Sequence, residues 1–333
     1  MRSTLNDIAK AVGVGKSTVS VVLNKKPKPI QVSEETRKKI FSAARELNYR
    51  PSFSARALTK GKTFTIGFIC ADIVNPYFAE LVTLALKEVE THGYRLLLSL
   101  TEGKGPEQDL ACVESLLERH VDGIIMISTA FQPGTKQYDY VLREKYPFVL
   151  LQYRAEGISS IGSDWQMGMD QAVTYFKGKG HARLVFLSTA TPGCVKSQKE
   201  KAFATACAAQ GMISDILEGP DNLDIDGVRR TGITLARTRD RPEVVIVHAD
   251  SLAMSFIHGL REGGLEVPRD MKVVGIDGTE AGKIFFPPLT SIEQDRSGTV
   301  AAAVQMLLER QDDQNPPPRE ILLPTTFVAR GSA

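Results

Sequence analysis

Residues 4–24, TLNDIAKAVGVGKSTVSVVLN, determine how the first part of the chain folds. Leu5, Ile8 and Val12 recur at the spacing of one apolar helical face. Gly13 then predicts a break, because glycine readily takes the left-handed conformation that ends a helix. A second helix follows, with an apolar face and an opposite face of small polar groups. The pattern predicts a helix-turn-helix, a motif whose second helix fits the major groove of DNA.

The charge of the chain is divided unevenly along its length. Residues 1–62 hold 14 Lys and Arg against 4 Asp and Glu, a net charge of +10. The other 271 residues hold 27 basic and 35 acidic side chains, a net charge of −8. A basic head on an acidic body predicts a polyanionic partner for the head. Lys and Arg that neutralise phosphates supply most of the non-specific affinity for DNA.

The remaining composition is that of a globular chain of 333 residues, long enough for two or three domains. No run of about 18 apolar residues occurs, so we expect no membrane span and no membrane partner. The N-terminus lacks the apolar segment of a signal peptide, which predicts a cytoplasmic protein. The four cysteines and five histidines are scattered, so they predict neither disulfides nor a metal site.

A third helix and a linker are predicted to complete the basic head. Ser33 can cap the helix, and the residue before Pro51 is expected to end it. Residues 52–63 form a short basic linker that can hold only a marginal helix by itself. We therefore expect a headpiece over residues 1–51 and a hinge over residues 52–63.

From Phe64 onward, apolar runs alternate with amphipathic helical stretches, which predicts parallel β/α units with right-handed crossovers. Because the strands outnumber those of one ordinary sheet, we expect an α/β core of two doubly wound parallel-sheet subdomains. The first subdomain is expected to cover residues 64–161 and 293–319, and the second residues 162–292 and 320–333. The predicted strands are FTIGFICA, YRLLLSL, DGIIMIS, FVLLQY, RLVFLS, EVVIVH, MKVVGID and the final ILLPTTFVAR.

These segments, in this order, resemble the LacI/GalR family of bacterial transcription regulators over nearly the whole chain. The most specific matches are TLNDIAKAVGVGKSTVSVVLN, VSEETRKKIFSAARELNYRPS, ARALTKGKTFTIGFICADIVNPYFAEL, VDGIIMIS, VVGIDG, LTSIEQD and FVARGSA. The resemblance implies an all-α helix-turn-helix headpiece, a hinge helix and a periplasmic-binding-protein-like core. Such a core closes on a small effector between its two subdomains.

The resemblance also assigns DNA contacts. It implies base contacts by Lys16, Ser17 and Val21, and phosphate contacts by Thr18 and Ser20. The family often has Arg where this chain has Val21, and valine can make only apolar contacts, for example with a thymine methyl group. In the hinge, the two residues at minor-groove positions are Ala55 and Leu58, of which Leu58 would be the apolar wedge. Thr4 and Asn24 complete the predicted DNA-binding set.

The effector is expected at the carboxyl ends of the strands, where open α/β sheets bind ligands. The predicted contacts share polar or aromatic side chains at such ends, or match effector positions of the family: Asp72, Asn75, Phe78, Ser128, Asp164, Trp165, Lys199, Asp250, Asp277 and Gln294. Lys199 stands where the family usually has Arg, which keeps the charge but loses the planar fork. This leaves the effector class open between a neutral sugar and an acidic ligand.

Two other functions fit the sequence less well. GVGKS at 13–17 resembles the end of a phosphate-binding loop, but Lys10 occupies the place of its first glycine and the segment follows a helix. No other pattern predicts a catalytic site or a cofactor. A solute-binding protein with a similar core would need a signal peptide and would lack the basic head.

The sequence therefore predicts an effector-controlled, DNA-binding transcription regulator rather than an enzyme. The leading interpretation is a repressor of a carbohydrate or related catabolic operon, with a sugar or sugar derivative as the effector. The absence of a heptad extension predicts a homodimer, which would bind a pseudo-palindromic operator in double-stranded DNA. Whether the effector releases DNA or promotes its binding is left open.

Overall fold

The computed structural model describes residues 3–23, 32–49, 61–128, 131–190, 194–221, 224–311 and 316–333. The chain forms two compact units, Met1–Thr63 and Phe64–Ala333. The predicted contacts Asn24, Ala55 and Leu58 lie outside the described residues.

The first unit contains three helices, α1 (Leu5–Val12), α2 (Lys16–Leu23) and α3 (Glu34–Glu46). They enclose a small core in which Ile8, Val19 and Ile40 are fully buried. Gly13 ends α1 in the left-handed conformation, with φ of 73°, as the sequence predicted. Ser33 caps α3 as predicted, but this helix ends at Glu46, before the expected stop at Pro51.

The second unit contains two parallel sheets, and its fold class is the predicted one. The first sheet has the order β2-β1-β3-β4-β5, and the second has the order β10-β9-β8-β6-β7. All pairs within each of these two sets are parallel. The strands are β1 (Thr65–Cys70), β2 (Arg95–Leu100), β3 (Gly123–Met126), β4 (Phe148–Leu151), β5 (Ser159–Asp164), β6 (Arg183–Leu187), β7 (Ile213–Leu217), β8 (Val244–Val247), β9 (Lys272–Asp277) and β10 (Thr290–Gln294).

The last strand, β11 (Glu320–Val328), corrects one expectation. Residues 320–333 were assigned to the second subdomain, but residues 320–324 pair in parallel with β5 of the first sheet. Only residues 325–328 pair with β10, and they do so in the antiparallel direction. The strand is nine residues long, so its first half pairs with the edge of the first sheet and its second half with the edge of the second.

Helices cover both faces of each sheet, which accounts for the continuous burial of the central strands. The helix after β10 returns to the first sheet, where Val300, Ala303 and Leu307 are buried against it. No described helix combines the length and the apolar character needed to cross a membrane. The helices of this unit are α4 (Pro76–Thr91), α5 (Pro106–Glu118), α6 (Lys136–Arg143), α7 (Trp165–Gly178), α8 (Cys194–Ala209), α9 (Ile225–Ala236), α10 (Asp250–Glu262), α11 (Glu280–Ile284) and α12 (Arg296–Gln311).

Gly168 allows α7 to pack closely against the junction of the two sheets. A Cβ atom at this position would lie 2.4 Å from Ile292 Cγ2 and 2.6 Å from Thr325 Oγ1. The Gly168 amide also donates a hydrogen bond to Thr325 Oγ1 at 3.0 Å. A side chain larger than hydrogen would therefore separate α7 from β10 and β11.

We predict that Gly168→Ala lowers the free energy of unfolding by about 1–3 kcal/mol, the usual cost of overpacking a close contact. Gly178→Ala in the same helix is the matched control, because its methyl group would meet no described atom within 4 Å. The control should be as stable as the wild type or slightly more stable. Denaturant titration of the three proteins checks this, and equal stability of both variants would contradict it.

Candidate functional site

The headpiece presents most of its predicted DNA contacts on one face of α2. Val19 and Val22 point the other way, into the core, with exposed fractions of 0% and 1%. The partly or fully exposed residues of α2 include all five that were predicted to contact DNA: Lys16, Ser17, Thr18, Ser20 and Val21. The outward face of α2 is therefore small and polar, with one lysine and one apolar residue.

Thr4 has a local role at the start of α1. Its hydroxyl donates to Asp7 Oδ2 at 2.8 Å, and the Asp7 amide donates back to Thr4 Oγ1 at 3.4 Å, which forms a capping box. The hydrogen bond from the Thr4 amide holds the pKa of Asp7 below its ordinary value. Thr4 is exposed.

A cavity of about 360 Å³ lies in the second unit, at the carboxyl ends of strands from both sheets. Ser128 and Gln152 follow strands of the first sheet, whereas His248 and Asp277 lie at ends of strands of the second. Seven of the ten predicted effector contacts line this cavity: Asn75, Phe78, Ser128, Trp165, Lys199, Asp277 and Gln294.

The other three predicted contacts, Asp72, Asp164 and Asp250, do not line this cavity, and backbone or hydroxyl groups donate hydrogen bonds to their carboxylates. Asp72 Oδ1 accepts from the amides of Val74 and Asn75 at 2.8 and 2.7 Å. Asp164 caps α7 and accepts from the Gln166 amide at 3.0 Å. A carboxylate that follows a strand commonly caps the next helix in this way.

Asp250 is the third of these residues and is almost fully buried, at 1% exposure. Its Oδ2 accepts from the amide and the hydroxyl of Thr279 at 2.7 and 2.9 Å, and its Oδ1 accepts from Ser291 at 2.7 Å. Burial raises the pKa of Asp250, and these three hydrogen bonds oppose the rise. Asp250 therefore ties α10, α11 and β10 together and does not face the cavity.

Several lining residues were absent from the predicted set: Tyr77, Thr101, Asp109, Gln152, Tyr153, Asp221 and His248. The sequence does mark two of them, because Gln152 ends a predicted strand and Tyr77, like Phe78, begins the helix that follows another. Asp109 and Asp221 belong to a helix and a loop, where no pattern in the sequence marks them.

A buried hydrogen-bond network crosses the cavity floor between the two sheets. The Gln294 Oε1 atom accepts from Gln152 Nε2 at 2.8 Å, from Ser163 Oγ at 2.9 Å and from the Tyr77 hydroxyl at 3.2 Å. The Gln294 Nε2 atom donates to Asp277 Oδ1 at 2.8 Å. One amide side chain thus links polar groups of the first sheet to a carboxylate of the second.

Lys199 supplies the positive charge of the cavity and is 4% exposed. Its Nζ atom donates to the His248 carbonyl at 2.9 Å and lies 4.5 Å from the centre of the Trp165 ring. Burial lowers the pKa of Lys199, and the carboxylates of Asp277 and Asp250 oppose this change. The ammonium group uses one of its three hydrogens in a bond to a described residue, so the others can be donated to a ligand.

Asp277 combines a buried carboxylate with an unusual backbone. Burial raises its pKa to about 7, although the ammonium group of Lys199 opposes the rise. Its φ of 130° is rarely adopted by residues other than glycine, which indicates local strain. The strained backbone points the carboxylate to Gln294 in the cavity, while the carbonyl accepts a hydrogen bond from Arg296.

Arg296 and Glu80 form a clamp beside the cavity. Arg296 Nε lies 3.0 Å from Glu80 Oε2 on α4, and Arg296 Nη2 donates to the Gly278 carbonyl at 2.8 Å. Glu80 Oε1 also accepts from the Glu280 amide at 2.9 Å. These bonds connect α4 of the first sheet to the loop that follows Asp277 in the second.

A groove of about 630 Å³ is lined by both residues of this clamp. Apart from Gln294, its lining is partly or largely exposed and includes Thr83, Glu280 and Ser297. The smaller cavity brings buried polar groups and aromatic rings together from both sheets, which is what small-ligand sites have in common. We therefore take the smaller cavity as the candidate ligand site.

Both units match known protein families. Residues 4–52 match the family described as bacterial regulatory proteins, lacI family, and residues 173–333 match the periplasmic binding protein-like domain. Curated relatives match along almost the entire chain. The transcriptional repressor PurR of Photobacterium profundum is 29% identical over 99% of this chain and 98% of its own. The ribose operon repressor of Escherichia coli is 29% identical over 99% of this chain and 100% of its own.

Solved structures share the fold at lower sequence identity. A Lac repressor bound to ONPG in the repressed state superposes with a TM-score of 0.87 at 24% identity, and the match covers 100% of both chains. The transcriptional regulator CelR in complex with cellobiose superposes with a TM-score of 0.70 at 23% identity, again over 100% of both chains.

The fold, the headpiece and the cavity together define a ligand-controlled, DNA-binding transcription regulator. Its first unit matches the lacI family of bacterial regulatory proteins, its second unit matches the periplasmic binding protein-like domain, and its curated relatives are transcriptional repressors.

The raised pKa of Asp277 predicts a change of stability with pH. The pKa of its carboxyl group is 3.8 in the unfolded chain and about 7 in the folded protein. Folding therefore favours the protonated form, and this stabilisation is lost as pH rises from about 4 to about 7. Asp277→Asn cannot ionise, so its melting temperature relative to that of the wild type should be higher at pH 8 than at pH 5.

Asp240→Asn is the matched control, because the Asp240 carboxylate is 94% exposed. Its melting temperature relative to the wild type should be similar at both pH values. Scanning calorimetry at pH 5 and pH 8 makes the measurement. A constant difference between Asp277→Asn and the wild type would show that Asp277 does not titrate in this range.

Proposed function

We propose that the chain is a homodimeric, cytoplasmic repressor of a carbohydrate or related catabolic operon, controlled by a neutral sugar or sugar derivative. The observation that carries the proposal is the cavity between the two sheets, in a chain with a LacI-family headpiece. The effector would bind there, and the two headpieces of the dimer would bind a pseudo-palindromic operator.

The lining of the cavity favours a neutral polyhydroxy ligand. It contains three carboxyl groups, from Asp109, Asp221 and Asp277, but only one ammonium group, from Lys199. An anionic ligand would meet more negative than positive charge. Hydroxyl groups can accept from Lys199 and donate to Asp277, and the ring of Phe78 can cover the apolar face of a sugar.

The names of some similar proteins support a sugar as the effector. One relative is a ribose operon repressor, and the CelR structure contains cellobiose. Other relatives are called PurR and catabolite control protein A, and the match includes at least 98% of the length of each of them. Repression of a catabolic operon fits the names ribose operon repressor and catabolite control protein A, and it fits a cavity suited to hydroxyl groups.

The proposed DNA contacts follow from the exposed face of α2. Lys16, Ser17 and Val21 would meet base edges, with Val21 against a thymine methyl group, and Thr18 and Ser20 would meet phosphates. In the hinge, Ala55 and Leu58 would enter the minor groove at the operator centre. The two-fold symmetry of a dimer would then require two related half-sites.

A dimer is supported by large apolar side chains on the surface of the second unit. Ile284 and Phe286 are 86% and 78% exposed, and they lie close together in the chain, at the end of α11 and just after it. Adjacent exposed apolar groups of this size are typical of interaction surfaces. The proposed partner is a second copy of this chain, and a solved Lac repressor of the same fold is described as a dimer bound to operator.

Effector control would act through Asp277 and Gln294. Both residues line the cavity. The Asp277 carbonyl also accepts a hydrogen bond from Arg296, which pairs with Glu80 on α4, so Asp277 connects the cavity to the clamp. A ligand that alters these contacts would change the arrangement of the two subdomains. The operator affinity would change as a result. Thermodynamic linkage requires the operator to change the effector affinity by the same factor.

The DNA-binding part is tested by selecting sequences from random double-stranded DNA with the full-length protein. We expect a pseudo-palindromic consensus. Val21→Arg should shift the preferred base at one position of each half-site towards guanine, because arginine pairs with guanine in the major groove. Sequencing of the selected DNA gives the result, and an unchanged consensus would contradict the role of Val21.

Thr18→Val is the matched variant for a phosphate contact, because it keeps the shape of the side chain and removes the hydroxyl. It should weaken binding roughly fivefold for each headpiece on every sequence, as expected for one hydrogen bond lost per protomer, and leave the consensus unchanged. A changed consensus would instead place Thr18 at a base edge.

The effector is tested by thermal unfolding of the full-length protein with neutral aldoses, sugar acids and purine bases. We expect a neutral aldose to stabilise the protein, by roughly 2.7 kcal/mol at 100 times its dissociation constant. Lys199→Met should lose most of this effect. Lys196→Met is the control on the same helix, because Lys196 lies outside the cavity lining and pairs with Glu218 at 3.4 Å. Stabilisation by purines or sugar acids alone would show that the proposed effector class is wrong.

A further inference from the structure

Two buried polar atoms in the wall of the cavity have no hydrogen-bond partner among the described residues. They are Trp165 Nε1 and His248 Nδ1. The two residues are 4% and 8% exposed, and both line the cavity. A buried polar atom without a partner costs free energy, so such atoms at a ligand site indicate where the ligand supplies the missing bond.

Lys199 contacts both of these residues. Its Nζ atom donates to the His248 carbonyl at 2.9 Å and lies 4.5 Å from the centre of the Trp165 ring. The backbone of His248 is fixed by a hydrogen bond from its amide to the Leu187 carbonyl at 3.0 Å, and its ring lies 6.3 Å from that of Phe186. The two unpartnered atoms therefore belong to rigid neighbours of one ammonium group.

The protonation states limit what can bind between them. Burial, and then the positive charges of Lys199 and Lys196, lower the pKa of His248 to about 2, so its ring is neutral. A neutral ring has one donor nitrogen and one acceptor nitrogen, whereas the Trp165 indole can only donate. A hydroxyl group satisfies both residues in either tautomer, because its oxygen can accept two hydrogens or accept one and donate one.

We propose that Trp165 and His248 form a specificity-determining pair that recognises one hydroxyl group of a neutral effector. This inference rests on the proposed function, in which the cavity binds the effector. Asp277 and the free hydrogens of Lys199 remain available for the other hydroxyl groups of the ligand. The pair would then distinguish an effector with a hydroxyl at this position from one that lacks it.

Trp165 also provides the measurement, because it is the only tryptophan among 333 residues. A ¹⁵N-labelled full-length protein should show one indole N–H resonance. The probes are D-ribose, D-xylose, D-glucose and D-galactose, with D-ribonate and D-gluconate as anionic counterparts. We expect at least one aldose to move the indole resonance downfield as its hydrogen bond forms, and the anions to leave it unchanged.

Variants then separate the two contacts by calorimetry with the aldose that binds. Trp165→Phe keeps a ring beside Lys199 but removes the N–H group, and His248→Gln removes the polar atom at the Nδ1 position. Each should weaken binding about tenfold, as expected for a hydrogen bond lost at a buried site. His248→Asn should bind more tightly than His248→Gln, because the asparagine amide lies near the place of Nδ1.

His120→Asn is the matched control for the histidine substitution. His120 is exposed and has a φ of 52°, a conformation that asparagine tolerates well. Its aldose affinity should equal that of the wild type. If His248→Gln does not fold, Trp165→Phe and the indole resonance of the wild type still test the proposal.

Three results would overturn the pair. An aldose could bind without moving the indole resonance, or bind equally well to Trp165→Phe and His248→Gln while Lys199→Met loses affinity. In both cases the cavity still binds an effector and the proposed function stands. The third result is that only the sugar acids bind, or that no probe binds. It would show that the pair does not recognise a hydroxyl group of a neutral sugar. The DNA selection described above is independent of all three results.

Discussion

The second unit depends on satisfying one buried amide, the side chain of Gln294, which is only 7% exposed at the junction of the two sheets. An amide removed from water destabilises the fold unless hydrogen bonds replace those it loses. Its oxygen accepts from Tyr77 on α4 and from Gln152 after β4, and its nitrogen donates to Asp277 at the end of β9 in the second sheet. The two sheets must therefore keep a definite relation for these bonds to form. A ligand in the cavity would meet the same atoms, so its binding would depend on how the two sheets are arranged.

Asp277 extends this constraint beyond the cavity. Its strained backbone lets a single residue present its carboxylate to Gln294 and its carbonyl to Arg296, which in turn pairs with Glu80 on α4. Gly278, with a φ of 72°, continues the turn, and a Cβ there would lie 2.5 Å from Glu293 Cγ. The burial that raises the pKa of Asp277 also makes its charge costly, and the nearby ammonium group of Lys199 limits that cost. The strain and the buried charge both occur at the residue that connects the cavity to the clamp, which is where functional strain is expected.

The sequence predicted the fold class because buried parallel strands are continuous apolar runs, and seven such runs became strands of the core. It did not predict β5, β7 or β10 as strands. Every residue of β7 is exposed, and polar residues interrupt the apolar character of β5 and β10. It placed β11 in one subdomain, because pairing partners cannot be read from composition. Strand-end polarity selected Asn75, Ser128 and Asp277, which line the cavity, but it also selected Asp72 and Asp250, whose carboxylates accept hydrogen bonds from the protein itself. The sequence does not distinguish such a carboxylate from one that contacts a ligand. His248 was missed because a single histidine after a strand has no spacing that marks it.

The separation of charge along the chain bears on how an effector can control DNA binding. The net charge of +10 lies within residues 1–62, and the remaining residues carry −8. Phosphate affinity increases with the number of basic groups that meet the DNA backbone, so an acidic core adds none of it. We infer that the core affects DNA affinity by determining how two headpieces are presented, not by contributing contacts of its own. An effector would then need no access to the DNA-binding surface. It would need only a different affinity for two arrangements of the sheets, because a ligand with equal affinity for both states shifts no equilibrium.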